Sequence, residues 1–161
     1  MCWHCDHPTH DPDHYLTDMR SLMNAYGWAI QYVDDRSPRS PWAYTVGLSR
    51  CGLPELVVTG LPVRQAMQYL NDQASHLMHA EPPSPGETTE LIGAPRFEIV
   101  EVAQPAVHLP IAVRLGGPDV RAIQMVWSDD RGKWPWDRGF RSGRWSQPVL
   151  GERAGRSGVA C

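Results

Sequence analysis

Three short apolar runs, WAIQYV (28–33), WAYTVGL (42–48) and ELVVTG (55–60), follow one another with only turn-rich sequence between them. WAIQYV alternates apolar and polar residues, as a half-buried strand does. DDRSPRSP (34–41) and SRCGLP (49–54) supply the connections. Segments joined by short turns usually lie side by side, so an antiparallel meander of three strands is the simplest layout.

Helices should flank this meander. Asp11 suits an N-cap and Pro12 the first helical position. Tyr15, Leu16, Met19, Leu22, Met23 and Tyr26 then recur at helical spacing, and Gly27 is placed to end the helix. A second stripe runs from about Pro62 to His79, through Val63, Ala66, Met67, Leu70, Ala74, Leu77 and Met78. EPPSPGE (81–87) cannot continue it. ETTELI (87–92), RFEIVEV (96–102) and VRAIQMVW (120–127) read as later strands, the last with Ala122, Gln124 and Val126 on one face. HLPIAVRLGG (108–117) is compatible with a short helix ended by glycine. The expectation is an α+β fold, a mostly antiparallel sheet packed against two amphipathic helices. Residues 1–151 form its single domain and 152–161 a disordered tail.

A chain of 161 residues with 20% charged and 42% hydrophobic residues has the composition of one globular domain. No apolar run reaches the roughly 18 residues that a membrane span needs. MCWHCDHPTHD carries neither the basic nor the apolar region of a secretory signal, so a cytoplasmic setting with reduced thiols is expected. The net charge is −3, but residues 131–156 hold seven basic and two acidic residues, net +5, leaving −8 for the rest. Such polarity suits an anionic partner.

Several segments combine into a recognisable set: an N-terminal CxxC with His nearby, GWAIQYV (27–33), PWAYTVGL (41–48), LPELVVTGLP (53–62), AMQYLN (66–71), IQMVWSDDRGKWPWD (123–137) and QPVLG (147–151). Together they resemble the bacterial and phage family known as domain of unknown function 4262, over roughly residues 2–151. The resemblance implies a fold and its boundaries; it carries no activity.

Four constellations carry candidate chemistry. Cys2 and Cys5 have the spacing that lets two thiolates grip one zinc ion, with His7 and His10 within chain reach as further ligands. The competing reading is an arm with incidental cysteines; a redox role is disfavoured because the motif starts at residue 2, before any strand. Tyr44 and Glu55 are polar residues in apolar strands. Burial of Glu55 beside a pocket would suit a general acid or base, whereas a turn cap is the plainer reading. Trp127, Trp136 and Gln124 could line a concave ligand pocket with Tyr44 and Glu55, while Asp129 and Asp130 read as a tight turn. KWPWDRGFRSGRW (133–145) interleaves cations and rings. Arg131, Lys133, Arg138, Arg141, Arg144 and Trp145 therefore suit a protein partner or, alternatively, single-stranded nucleic acid. GxSxG, P-loop, GxGxxG and HExxH signatures are absent from the sequence. The expectation is a binding or regulatory module acting through a protein partner, with a small-molecule site or nucleic-acid binding as the alternatives.

Overall fold

A computed structural model describes residues 11–34 and 40–155. Helix α1 (Pro12–Tyr26) starts where Asp11 accepts a hydrogen bond from the Asp13 N–H, and Gly27 at φ 93° ends it. Strands β1 (Ala29–Val33), β2 (Trp42–Val46) and β3 (Glu55–Thr59) form the expected antiparallel meander, with a 3-10 turn (Leu48–Cys51) between β2 and β3. Helix α2 (Val63–Leu77) follows β3 directly. Then come β4 (Thr88–Glu90), β5 (Arg96–Glu101), the single turn α3 (Pro105–His108), α4 (Pro110–Gly116) and β6 (Ala122–Trp127).

The six strands lie in the order β1-β2-β3-β6-β5-β4. β3 and β6 pair in parallel, Glu55 opposite Ala122 and Val57 opposite Gln124. The sheet is therefore mixed, which corrects the expectation of a mostly antiparallel one. The physical reason is the connection. β3 runs straight into α2, and the chain returns through β4, β5 and α4 before β6 comes back alongside β3 in the same direction. A parallel pair needs such a long crossover, whereas a hairpin cannot make one.

Side-chain alternation divides the core in two. Ala43, Leu56, Val58, Ile99, Ile123 and Met125 pack on one face with Ala66, Leu70, Ala74 and Leu77 of α2. Tyr44, Val46, Val57 and Ala122 pack on the other with Met19 and Met23 of α1 and Leu109 and Ala112 from the α3–α4 segment. All residues of β3 and β6 are buried, as expected of central strands covered on both sides. Among the described residues no helix is long and apolar enough to cross a membrane.

The segment after β6 is irregular but tied down. Pro148 O accepts hydrogen bonds from Thr59 Oγ1 (2.8 Å) and Gln124 Nε2 (2.8 Å), and Leu150 N donates to Gln124 Oε1 (2.7 Å). Gln147 acts like a strand neighbour: its Oε1 accepts from Trp127 N at 2.8 Å and its Nε2 donates to Trp127 O at 2.9 Å. Residues 146–151 thus form a strap along β6, from the ends of β3 and β6 to the end of β5 beside the start of β6. Two glycines permit the close approach. A Cβ on Gly60 would meet Ser146 O at 2.4 Å, and one on Gly151 would meet Glu101 O at 1.9 Å.

Candidate functional site

Where β3 and β6 end side by side, the chain turns away from the sheet twice. After Thr59 it enters α2 through Gly60, Leu61 and Pro62; after Trp127 it enters an irregular loop. The gap between the two exits is a cleft of about 700 Å³. This is where ligands commonly bind in sheets with parallel strands, because adjacent chains diverge there. Pro62, Gln65 and Tyr69 bring one wall from the start of α2; Ser128, Asp130, Arg141, Arg144 and Trp145 bring the other. Trp127 forms part of the floor. Its indole N–H donates to Thr59 O (2.9 Å), and Phe140 packs on its ring at 5.5 Å.

Asp129 organises the outer wall. Its Oδ1 accepts hydrogen bonds from the N–H groups of Arg131 (2.9 Å) and Lys133 (2.8 Å), and its Oδ2 from that of Arg141 (3.0 Å). Burial works against the charged carboxyl, but the N–H groups of Lys133, Arg141 and Arg131, with the Arg131 charge, outweigh it. Asp129 is held below the usual carboxylate range. Two basic side chains close the same loop on itself. Arg131 donates to Gly139 O and lies 3.9 Å from the Asp129 carboxylate, and Lys133 Nζ donates to Arg138 O at 2.7 Å.

The cations of the sequence-predicted interface therefore divide into two groups. Arg131 and Lys133 are committed to the loop's own carbonyls. Arg138 and Arg141 make no side-chain hydrogen bond or ion pair among the described residues, and Arg144 lies over the adjacent Trp145 ring at 5.0 Å. Arg141, Arg144 and Trp145 line the cleft, where Asp130 is the acidic side chain left exposed.

The five residues expected around a ligand pocket are dispersed. Trp127 belongs to the cleft just described. Tyr44 lines a separate, mostly apolar pocket beside α1 and α4. Glu55 is fully buried at the start of β3. It accepts hydrogen bonds from Thr45 Oγ1 (2.6 Å), Gly47 N (2.9 Å) and Ser49 N (3.0 Å), which fixes the turn between β2 and β3. Gln124 holds the strap through both ends of its amide. Trp136 stacks on Trp134 with ring centroids 5.8 Å apart, and the Arg153 guanidinium lies 3.7 Å from its ring while pairing with both Glu98 oxygens at 2.9 and 3.0 Å. Cys2, Cys5, His7 and His10 lie outside the described residues. Within those described, no three His, Cys, Asp or Glu side chains converge as a metal centre requires.

Sequence reasoning missed the inner wall of the cleft and the roles of Gln147 and Arg153. The signal for the wall was available: an apolar strand that runs through Gly60-Leu61-Pro62 into a helix is a βα unit, whose exit edge tends to be a binding edge. Nothing local marks Gln147 as a substitute for a strand, since its partner Trp127 is 20 residues away.

The chain matches the family model described as Domain of unknown function (DUF4262) over residues 22–141, and it belongs to that family. No curated protein and no solved structure matches it.

Proposed function

We propose that this member of the DUF4262 family is a cytoplasmic binding module that grips an acidic segment of a protein partner in the cleft at the ends of β3 and β6. One observation carries the reading: Arg141 and Arg144 stand beside Trp145 and Trp127 in an open concavity, and neither has an acidic partner among the described residues. An unpaired guanidinium presents a planar fork that matches a carboxylate, and Arg and Trp are the residue types that dominate interface energetics. The cleft's open side favours a chain segment over a small molecule. A small ligand usually has most of its surface enclosed, whereas a peptide can lie through an open trough.

The test compares proteins captured from lysate by the full chain and by an Arg141→Glu/Arg144→Glu variant, at low and physiological salt, with and without nuclease. The expected result is a nuclease-resistant set, weakened by salt and lost from the variant, whose thermal midpoint is unchanged. Equal recovery by both proteins would overturn the reading. Loss on nuclease treatment would reassign the cleft to nucleic acid. The zinc reading of Cys2, Cys5, His7 and His10 rests on the CxxC spacing, and elemental analysis of protein purified without chelator tests it.

A further inference from the structure

On the face of the sheet that α1 and α4 cover, a second pocket of about 320 Å³ opens between those helices and the β1–β2 end. Tyr15, Leu16, Trp42 and Ile111 make its walls almost wholly apolar. Three side chains break that pattern, and one of them, Gln31, already donates its amide N–H to Tyr32 O. Tyr44, only 1% exposed, places its hydroxyl within the lining, where the Ile111 N–H reaches it at a long 3.4 Å. Arg114, exposed on α4, borders the pocket and has no ion-pair or hydrogen-bond partner among the described residues.

We infer that this pocket binds a small monocarboxylate with an apolar body, the carboxylate on Arg114 and the body against Tyr15, Leu16, Trp42 and Ile111. An apolar pocket with one or two polar groups is the usual form of a site that sets the orientation of a small ligand. A lone guanidinium selects an anion, and a carboxylate meets its fork with two parallel hydrogen bonds. Size limits the class further. At ~30 Å³ per liquid-packed heavy atom, the space holds roughly ten such atoms. That is the size of a medium-chain fatty acid and well below that of a phospholipid. Burial pushes the Tyr44 hydroxyl far above its ordinary range, so it stays protonated and keeps a proton to donate. The site shares no lining residue with the cleft at the β3 and β6 ends, so the two readings stand or fall separately.

Calorimetric titration of the full chain with sodium octanoate tests the assignment, with 1-octanol as the uncharged counterpart. Octanoate is expected to bind and to raise the thermal midpoint, and octanol to bind at least tenfold more weakly. Arg114→Ala should weaken octanoate by about tenfold or more, and Arg114→Lys should recover part of the loss. Arg114 is exposed, so these variants test binding without opening the core. Ile111→Trp, which fills the pocket, should abolish binding, whereas Arg141→Glu/Arg144→Glu should leave it unchanged. Absence of octanoate binding at millimolar concentration would overturn the inference. So would octanol binding as tightly as octanoate, or affinity unaffected by both Arg114→Ala and Ile111→Trp.

Discussion

Asp129 shows how one side chain can replace a stretch of regular structure. The loop after β6 has no ladder to satisfy its N–H groups, and three of them converge on one carboxylate. The hydrogen bonds favour the ionised form, so the folded state holds that proton less tightly than the unfolded chain, where aspartate titrates near about 3.9. The depressed value sets the sign: the contribution is fully present above the unfolded value and is lost as pH falls through the lower folded one. Comparing thermal midpoints of the native chain and Asp129→Asn from pH 6 to pH 2.5 should therefore show a gap that is constant above about pH 5 and closes below pH 4. A gap independent of pH would mean that the carboxylate's charge is not what holds the loop. Glu55 plays a related part at the other end of the sheet. Its isolation in an apolar strand was legible in the sequence, and so was the choice between an acid–base role and a turn cap. What decides between them is the position of the Gly47 and Ser49 N–H groups, which depends on the fold of the intervening turn.

Elements defined by their own periodicity were the legible ones. The stripe in α1, the alternation in β1 and the proline-to-glycine limits of α4 each depend on residues within a turn or two of one another. The direction of β6 relative to β3 does not, because an apolar run marks a strand covered on both faces without fixing which way its neighbour points. The strap at 146–151 was illegible for another reason. It has no repeat of its own and takes its shape from Gln124, Trp127 and Thr59. Gly60 is the position where the strap depends on backbone rather than side chain. It has φ 72°, where L-residues are strained, and its missing Cβ leaves room for Ser146 O. Gly60→Ala is expected to destabilise the protein by about 2 kcal/mol, combining that strain with displacement of the strap. Chemical denaturation measures the loss. A change within about 0.5 kcal/mol, the range of neutral surface substitutions, would show that the strap can shift without cost.

Over the whole molecule, protection should rise toward the centre of the sheet. β3 and β6 are buried on both faces and flanked by strands on both sides, whereas β4 is a three-residue edge strand with exposed ends. Hydrogen exchange should accordingly be slowest at β3 and β6 amides and fastest among the strands at β4. Uniform exchange across all six would contradict the central placement of β3 and β6.

The parallel pair also has a consequence for how the protein is made. A ribosome emits β1, β2, β3 and α2 long before β6, and Thr59 meets its acceptor on Pro148 only after 89 further residues have been added. Until β6 emerges, the nascent meander holds an uncovered edge at β3, with the apolar side chains of a central strand beside it. Loop closure over that distance delays the central pairing. The interval is a window for misassociation with other unfinished chains. A stop codon or fusion junction placed before β6 should extend that window indefinitely, yielding a product in which β3 never gains the strand that covers its free edge.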